Sequence, residues 1–181
     1  MTIRDKNTIL YCGRFSYEKG LPYLMEAARL LVKRQINFRL VLVGDGPERP
    51  KIFELVQKYG LTDRVSFEGE VQHENIPSIM ARAGLLCLPS IREGWPNVVM
   101  ESLACGCPVV ASNVGGVPEI ISQPELGILV PSGNVMSLAN ALEEGLKRHW
   151  NSEYLSAHVK KRTWDVVAKE VLTEIHSVIG R

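Results

Sequence analysis

The feature that most constrains this chain is its regular alternation of short apolar runs with amphipathic segments of helical spacing, kept up as far as Pro131. Residues 8–13, 38–44, 65–69, 85–88, 109–111 and 127–130 read as strands, being short, apolar and in several cases closed by glycine. Between them, residues 21–34, 48–59, 76–82, 97–105 and 118–121 read as helices; in the first of these Leu24, Ala27, Ala28 and Leu31 share one face. Strands that alternate with helices form a parallel sheet covered on both faces. The expected fold is therefore α/β, a Rossmann-like parallel sheet of about six strands. Ligands of such sheets bind beyond the carboxyl ends of the strands.

After Pro131 only helical patterns follow, at residues 135–150, 153–161 and 164–179, which predicts a C-terminal helical extension. In the last, Trp164, Val167, Ala168, Val171, Leu172, Ile175, Val178 and Ile179 form a broad apolar stripe. The 181 residues suit one domain with room for a substantial core. A net charge of +1 gives no electrostatic argument for nucleic acid or an acidic membrane surface. No apolar run reaches the length of a membrane span and no signal-peptide pattern opens the chain, so a cytoplasmic location is the expectation. Cys12 and Cys87 sit in strand-like runs, and Cys105 and Cys107 flank one glycine, which is neither a redox nor a zinc spacing. All four read as reduced, structural thiols. His73, His149, His158 and His176 are dispersed and read as surface residues.

The chemistry concentrates in residues 93–111, where Glu93-Gly94-Trp95-Pro96-Asn97-Val98-Val99-Met100-Glu101 leads into Ser102-Leu103-Ala104-Cys105-Gly106-Cys107-Pro108. Pro96 suits the first position of a helix, and the free N–H groups after it can face a phosphate or a sugar hydroxyl. Glu101, one turn beyond Asn97, leans back toward the same mouth. A second element, Gly13-Arg14-Phe15-Ser16-Tyr17-Glu18-Lys19-Gly20, follows the first strand and places two cations around a glycine-bounded loop. Arg14 can fork onto two oxygens while Lys19 acts as a mobile point charge, or both are solvated surface charges. Gly44-Asp45-Gly46-Pro47 is first of all a turn, and lacks the third glycine of a dinucleotide fingerprint. A nicotinamide dehydrogenase is not expected.

The run from Glu93 to Ala111, with Val114-Gly115-Gly116-Val117-Pro118-Glu119 behind it, resembles the donor-site signature of family 4 (group 1) glycosyltransferases. The resemblance extends almost end to end and implies the C-terminal, donor-binding half of a two-domain GT-B enzyme. It implies that Gly13, Arg14 and Lys19 serve the donor diphosphate, that Glu93 contacts the sugar, and that Glu101 contacts the ribose. Amides from Gly94, Trp95, Pro96, Asn97 and Val98 would complete the sugar and phosphate contacts, Trp95 being either a ligand group or a plug under the loop. The base is implied to meet backbone groups around Val71, while Gly44 and Asp45 lie near the nucleotide. Arg64 is open between a local ion pair and a ligand role. Gly115, Gly116 and Glu119 are supporting candidates.

The expected function is binding of a nucleotide-diphosphate sugar, UDP- or GDP-linked, for retaining transfer to an unidentified acceptor. Arg14, Lys19 and Glu93 are the expected catalytic residues. No Asp-x-Asp occurs, so no metal and no cofactor is expected. Residues 1–181 would be a single nucleotide-sugar-binding domain, with the helix at about 164–181 packing toward a missing N-terminal domain. A fragment or one subunit of a split enzyme is the expectation, nearly inactive alone, with membrane association of the full-length enzyme left open. The alternatives are half of a UDP-sugar 2-epimerase-like enzyme, or a binding-only nucleotide-sugar module.

Overall fold

A computed structural model describes residues 4–160 and, beyond them, residues 168, 169, 172, 173, 175 and 176. Six strands, β1 (Asp5–Cys12), β2 (Arg39–Val43), β3 (Val65–Gly69), β4 (Ala83–Leu88), β5 (Val109–Ser112) and β6 (Gly127–Val130), form one sheet. Their spatial order is β3-β2-β1-β4-β5-β6, and every neighbouring pair is parallel. This is the expected Rossmann-like α/β sheet. The order reverses between β1 and β4, and in such sheets ligands bind beyond the carboxyl ends of the strands at that switch point.

Alternation along the strands feeds two separate cores. Ile9 and Tyr11 of β1, Leu40 and Leu42 of β2, and Leu85 and Cys87 of β4 face one side. There they meet α1 (Leu21–Lys33), α2 (Arg49–Lys58) and α6 (Val135–Lys147). Leu10, Leu86, Leu88, Val109 and Ala111 face the other side. Their partners come from α3 (Ile76–Arg82), α4 (Asn97–Ala104), α5 (Val117–Ile120) and α7 (Ser152–Lys160). The central strands β4 and β5 are buried on both faces, which is why their sequences are continuous apolar runs, whereas the edge strand β3 alternates half-buried and exposed residues.

The helices form where their stripes demand. In α1, Leu21, Leu24, Met25, Ala27, Ala28 and Leu31 are buried, Pro22 occupies the first turn and Lys33 the last, where it complements the helix dipole. Elsewhere the boundaries moved by up to three residues: β1 begins at Asp5 rather than Thr8, and α6 stops at Lys147 rather than Trp150. Pro96 departs from expectation. It is the residue before α4, at φ −79° and ψ 95°, and Asn97 is the first helical residue. Of the stripe expected over residues 164–179, only Ala168, Leu172 and Ile175 are described; they are helical, and Leu172 and Ile175 are exposed. Packing of that helix against another domain lies outside the described residues.

No helix among the described residues is long and apolar enough to cross a membrane.

Candidate functional site

The loops that leave β1, β2, β3, β4 and β6 are laced together at the carboxyl edge of the sheet. Gly13 N–H donates to Val43 O at 3.0 Å, Phe15 N–H to Asp45 O at 2.8 Å, and Gly44 N–H to Gly69 O at 2.7 Å. Ile91 N–H donates to Glu18 O at 2.8 Å and so joins the two loops that flank the switch point. Ser132 Oγ, past β6, donates to Ser90 O at 3.1 Å. Gly44 allows the closest of these approaches. At φ +121° it takes a conformation that L side chains rarely adopt, and a Cβ there would lie 2.0 Å from Gly13 O.

Across the switch point, Lys19 Nζ lies 2.8 Å from Glu93 Oε1 and 3.0 Å from Oε2. Ser90 Oγ donates to Glu93 Oε1 at 2.6 Å. The Glu93 side chain is only 7% exposed and that of Lys19 26%, so the pair is screened far less than a surface bridge. The Tyr11 hydroxyl, beneath this pair, donates to Arg14 O at 2.8 Å and fixes the loop backbone. Burial first, then the Glu93 charge, push that phenol well above its ordinary value. Arg14 itself is exposed, and its guanidinium makes no hydrogen bond or ion pair with the described residues.

Helix α4 begins directly behind Glu93, with no side chain capping it. Val99 N–H donates to Pro96 O at 3.0 Å, which leaves the Asn97 and Val98 N–H groups to carry the positive end of the helix dipole. Asn97 is exposed and Val98 half-buried against the second core. Glu101, half-buried on α4, reaches back toward the end of β1: burial, then its charge, push the Cys12 thiol up to about 11.

The turn Val114–Gly116 supports the loop from outside. Gly116 N–H donates to Gly94 O at 2.8 Å. A Cβ on Gly115, at φ +52°, would lie 2.0 Å from Glu93 O, and one on Gly116 would lie 2.6 Å from Trp95 Cε3. Trp95 is 41% exposed, so its ring leans on this turn rather than plugging the loop from below. Glu119 stands exposed on α5.

An open cleft of about 580 Å³ lies over the loops that follow β1, β2 and β3, lined by Gly13, Arg14, Gly44, Asp45, Gly46 and Glu70. Asp45 is engaged locally. Its carboxylate accepts from Gly46 N–H at 2.6 Å and from Arg49, which together hold it below its usual range. Val71, two residues past β3, is half-buried against the second core. Arg64 makes no ion pair with the described residues; its guanidinium lies 5.4 Å from the Phe38 ring centre and donates weakly to Phe38 O at 3.4 Å. Sequence reasoning missed Tyr11, Ser90 and Ser132. A tyrosine in a core strand and serines in loops give no local signal of what they hold.

The model of the group 1 glycosyl transferases matches residues 2–162. The chain belongs to this family. It is 39% identical over 139 residues to an alpha-D-kanosaminyltransferase of Streptomyces kanamyceticus, covering 77% of this chain and 36% of that one. It is 34% identical over 173 residues to an uncharacterized glycosyltransferase of Methanocaldococcus jannaschii, covering 93% and 44%. The chain therefore spans less than half the length of these relatives. Among solved structures it is similar to Anabaena HepE in complex with UDP, at a TM-score of 0.80 and 27% identity, covering 94% of this chain and 49% of that one. Lys19 and Glu93 thus stand at the switch point of the sheet, on the loops after β1 and β4.

Proposed function

We propose that this domain binds a nucleotide-diphosphate sugar, UDP- or GDP-linked, and presents it for retaining, metal-independent glycosyl transfer. The observation that carries this is the Lys19–Glu93 contact at the strand switch point, in front of the uncapped start of α4. Two cations, a helix start and two carboxylates gathered on the loops after β1 and β4 and on α4 fit a ligand with a charged diphosphate between hydroxylated groups. HepE, with 27% identity, was crystallised with UDP, which supports a nucleotide at this edge.

In this reading the partnerless guanidinium of Arg14 and the ammonium of Lys19 take the diphosphate oxygens. Glu93 and Glu101 would be repelled there, and accept instead from sugar and ribose hydroxyls. As the bond from the anomeric carbon to the diphosphate breaks, negative charge grows on the departing oxygens. Arg14, Lys19 and the first N–H groups of α4 are preorganised to stabilise it, which supplies the charge a metal would otherwise bring. Gly13 and Gly44 admit the diphosphate close to the backbone, and the backbone at Val71 receives the base. Gly94, Trp95, Pro96 and Asn97 frame the sugar, with the Val98 amide beside the phosphate. The acceptor cleft belongs to a second half, so this chain alone turns over little or no donor.

A thermal-shift screen of nucleoside diphosphates and their sugars tests the reading, because a ligand of the native state raises apparent stability by mass action. One nucleoside diphosphate and its sugars are expected to raise the midpoint, with or without a chelator. A flat response across the panel would sink the proposal.

A further inference from the structure

We propose that Ser90 is a positioning residue, which keeps the Glu93 carboxylate aimed at the transferred sugar when Lys19 leaves it for the diphosphate. This rests on the donor reading above. Ser90 is fully buried two residues beyond β4. Its hydroxyl donates to Glu93 Oε1 at 2.6 Å, a short, charge-assisted bond, while its carbonyl accepts from Ser132 Oγ at 3.1 Å. The hydroxyl is thus held from behind by the loop past β6 and points forward into the site.

Glu93 carries considerable rotamer freedom, and among the described residues only Lys19 and Ser90 donate to its carboxylate. Lys19 cannot be its permanent anchor, since a diphosphate between Arg14 and α4 competes for the same ammonium. When Lys19 turns to the diphosphate, Glu93 keeps one side-chain donor. Ser90 occupies a single lone-pair direction on Oε1, and the remaining acceptor sites are open to sugar hydroxyls. Without Ser90 the carboxylate follows Lys19 or swings away from the incoming charge, and sugar recognition falls while nucleotide recognition stays. A serine with a packing role alone would give no such split, because alanine nearly matches its shape.

The test is calorimetric titration of the chain with UDP and UDP-glucose, and with GDP and GDP-mannose. In Ser90→Ala the nucleotide-sugar dissociation constant divided by that of the bare nucleotide should rise about tenfold, a loss expected for one hydrogen bond to a charged group. Affinity for the bare diphosphate should change less than about twofold on that scale. Ser132→Ala, which loosens Ser90 from behind, should raise the ratio by less. Should Ser90→Ala not fold, Ser90→Cys, a weaker donor, carries the same comparison. An unchanged ratio in a folded variant overturns this inference alone. A wild-type chain that binds neither nucleotide overturns it together with the donor reading.

Discussion

Lys19 and Glu93, 74 positions apart in the chain, meet at 2.8 Å across the point where the strand order reverses. The pair bridges the loop after β1 and the loop after β4, and each loop is also tied to the other through Glu18 O. It therefore bears on stability as well as on the proposed ligand.

Lys19→Ala leaves a nearly buried carboxylate without its cation, and should destabilise the fold by about 1–3 kcal/mol. Arg14→Ala, which removes an exposed guanidinium, should cost less than about 0.5 kcal/mol. Adding Glu93→Gln to Lys19→Ala should cost less than the sum of the two changes, by roughly 1 kcal/mol. Urea unfolding of the four-member cycle measures this, and strict additivity would show that the two side chains are not coupled.

Gly115 and Gly116 should respond differently to alanine. A Cβ at Gly115 meets the Glu93 carbonyl at a positive φ, so Gly115→Ala should cost about 2–3 kcal/mol and disturb the loop that carries Glu93. At Gly116 the nearest obstacle is the Trp95 ring, which is partly exposed and can move. Gly116→Ala should cost less, and Trp95→Ala should recover most of the loss. Equal penalties at the two positions, measured by unfolding midpoints, would contradict this account of the turn.

Alkali should weaken the fold. Burial, then Glu101, raise the Cys12 thiol from 9.0 to about 11, and burial pushes Tyr11 and Cys87 above their ordinary values as well. These groups hold their protons more tightly folded than unfolded. The stability they contribute is complete below the unfolded thiol value and is lost as pH rises from there through the folded value. Urea midpoints in reductant should fall steadily between about pH 9 and 11, and Cys12→Ala should flatten the fall. A midpoint that climbs over this span would reverse the sign and refute the assignment.

The strands and helices up to β6 were legible, because strands of the sheet interior read as continuous apolar runs and helices as one-sided stripes, while the edge strand β3 showed through its length and closing glycine. The spatial strand order was not, since nothing local says that β4 lies beside β1. Arg14, Lys19, Glu93 and Glu101 were singled out through position after a strand together with the family resemblance, and Lys19 and Glu93 do come together. Their pairing was hidden: Lys19 was assigned to a phosphate alone, and Ser90 and Ser132 drew no notice. Those contacts are made by loops that meet only after the sheet has formed. Pro96 was misplaced by one residue because proline also suits the extended residue before a helix. The Phe38 contact of Arg64 was hidden because an aromatic partner 26 positions away leaves no charge pattern to find.

The central claim is that Arg14 and Lys19 bind a diphosphate at the switch point. The direct measurement is the affinity of Arg14→Ala/Lys19→Ala, against the unaltered chain, for UDP, GDP and the matching nucleosides. The account predicts a loss of about 100-fold or more for the diphosphate that binds, two charge-assisted contacts being removed, and little change for its nucleoside. A folded double variant that binds that diphosphate as tightly as the unaltered chain would contradict it.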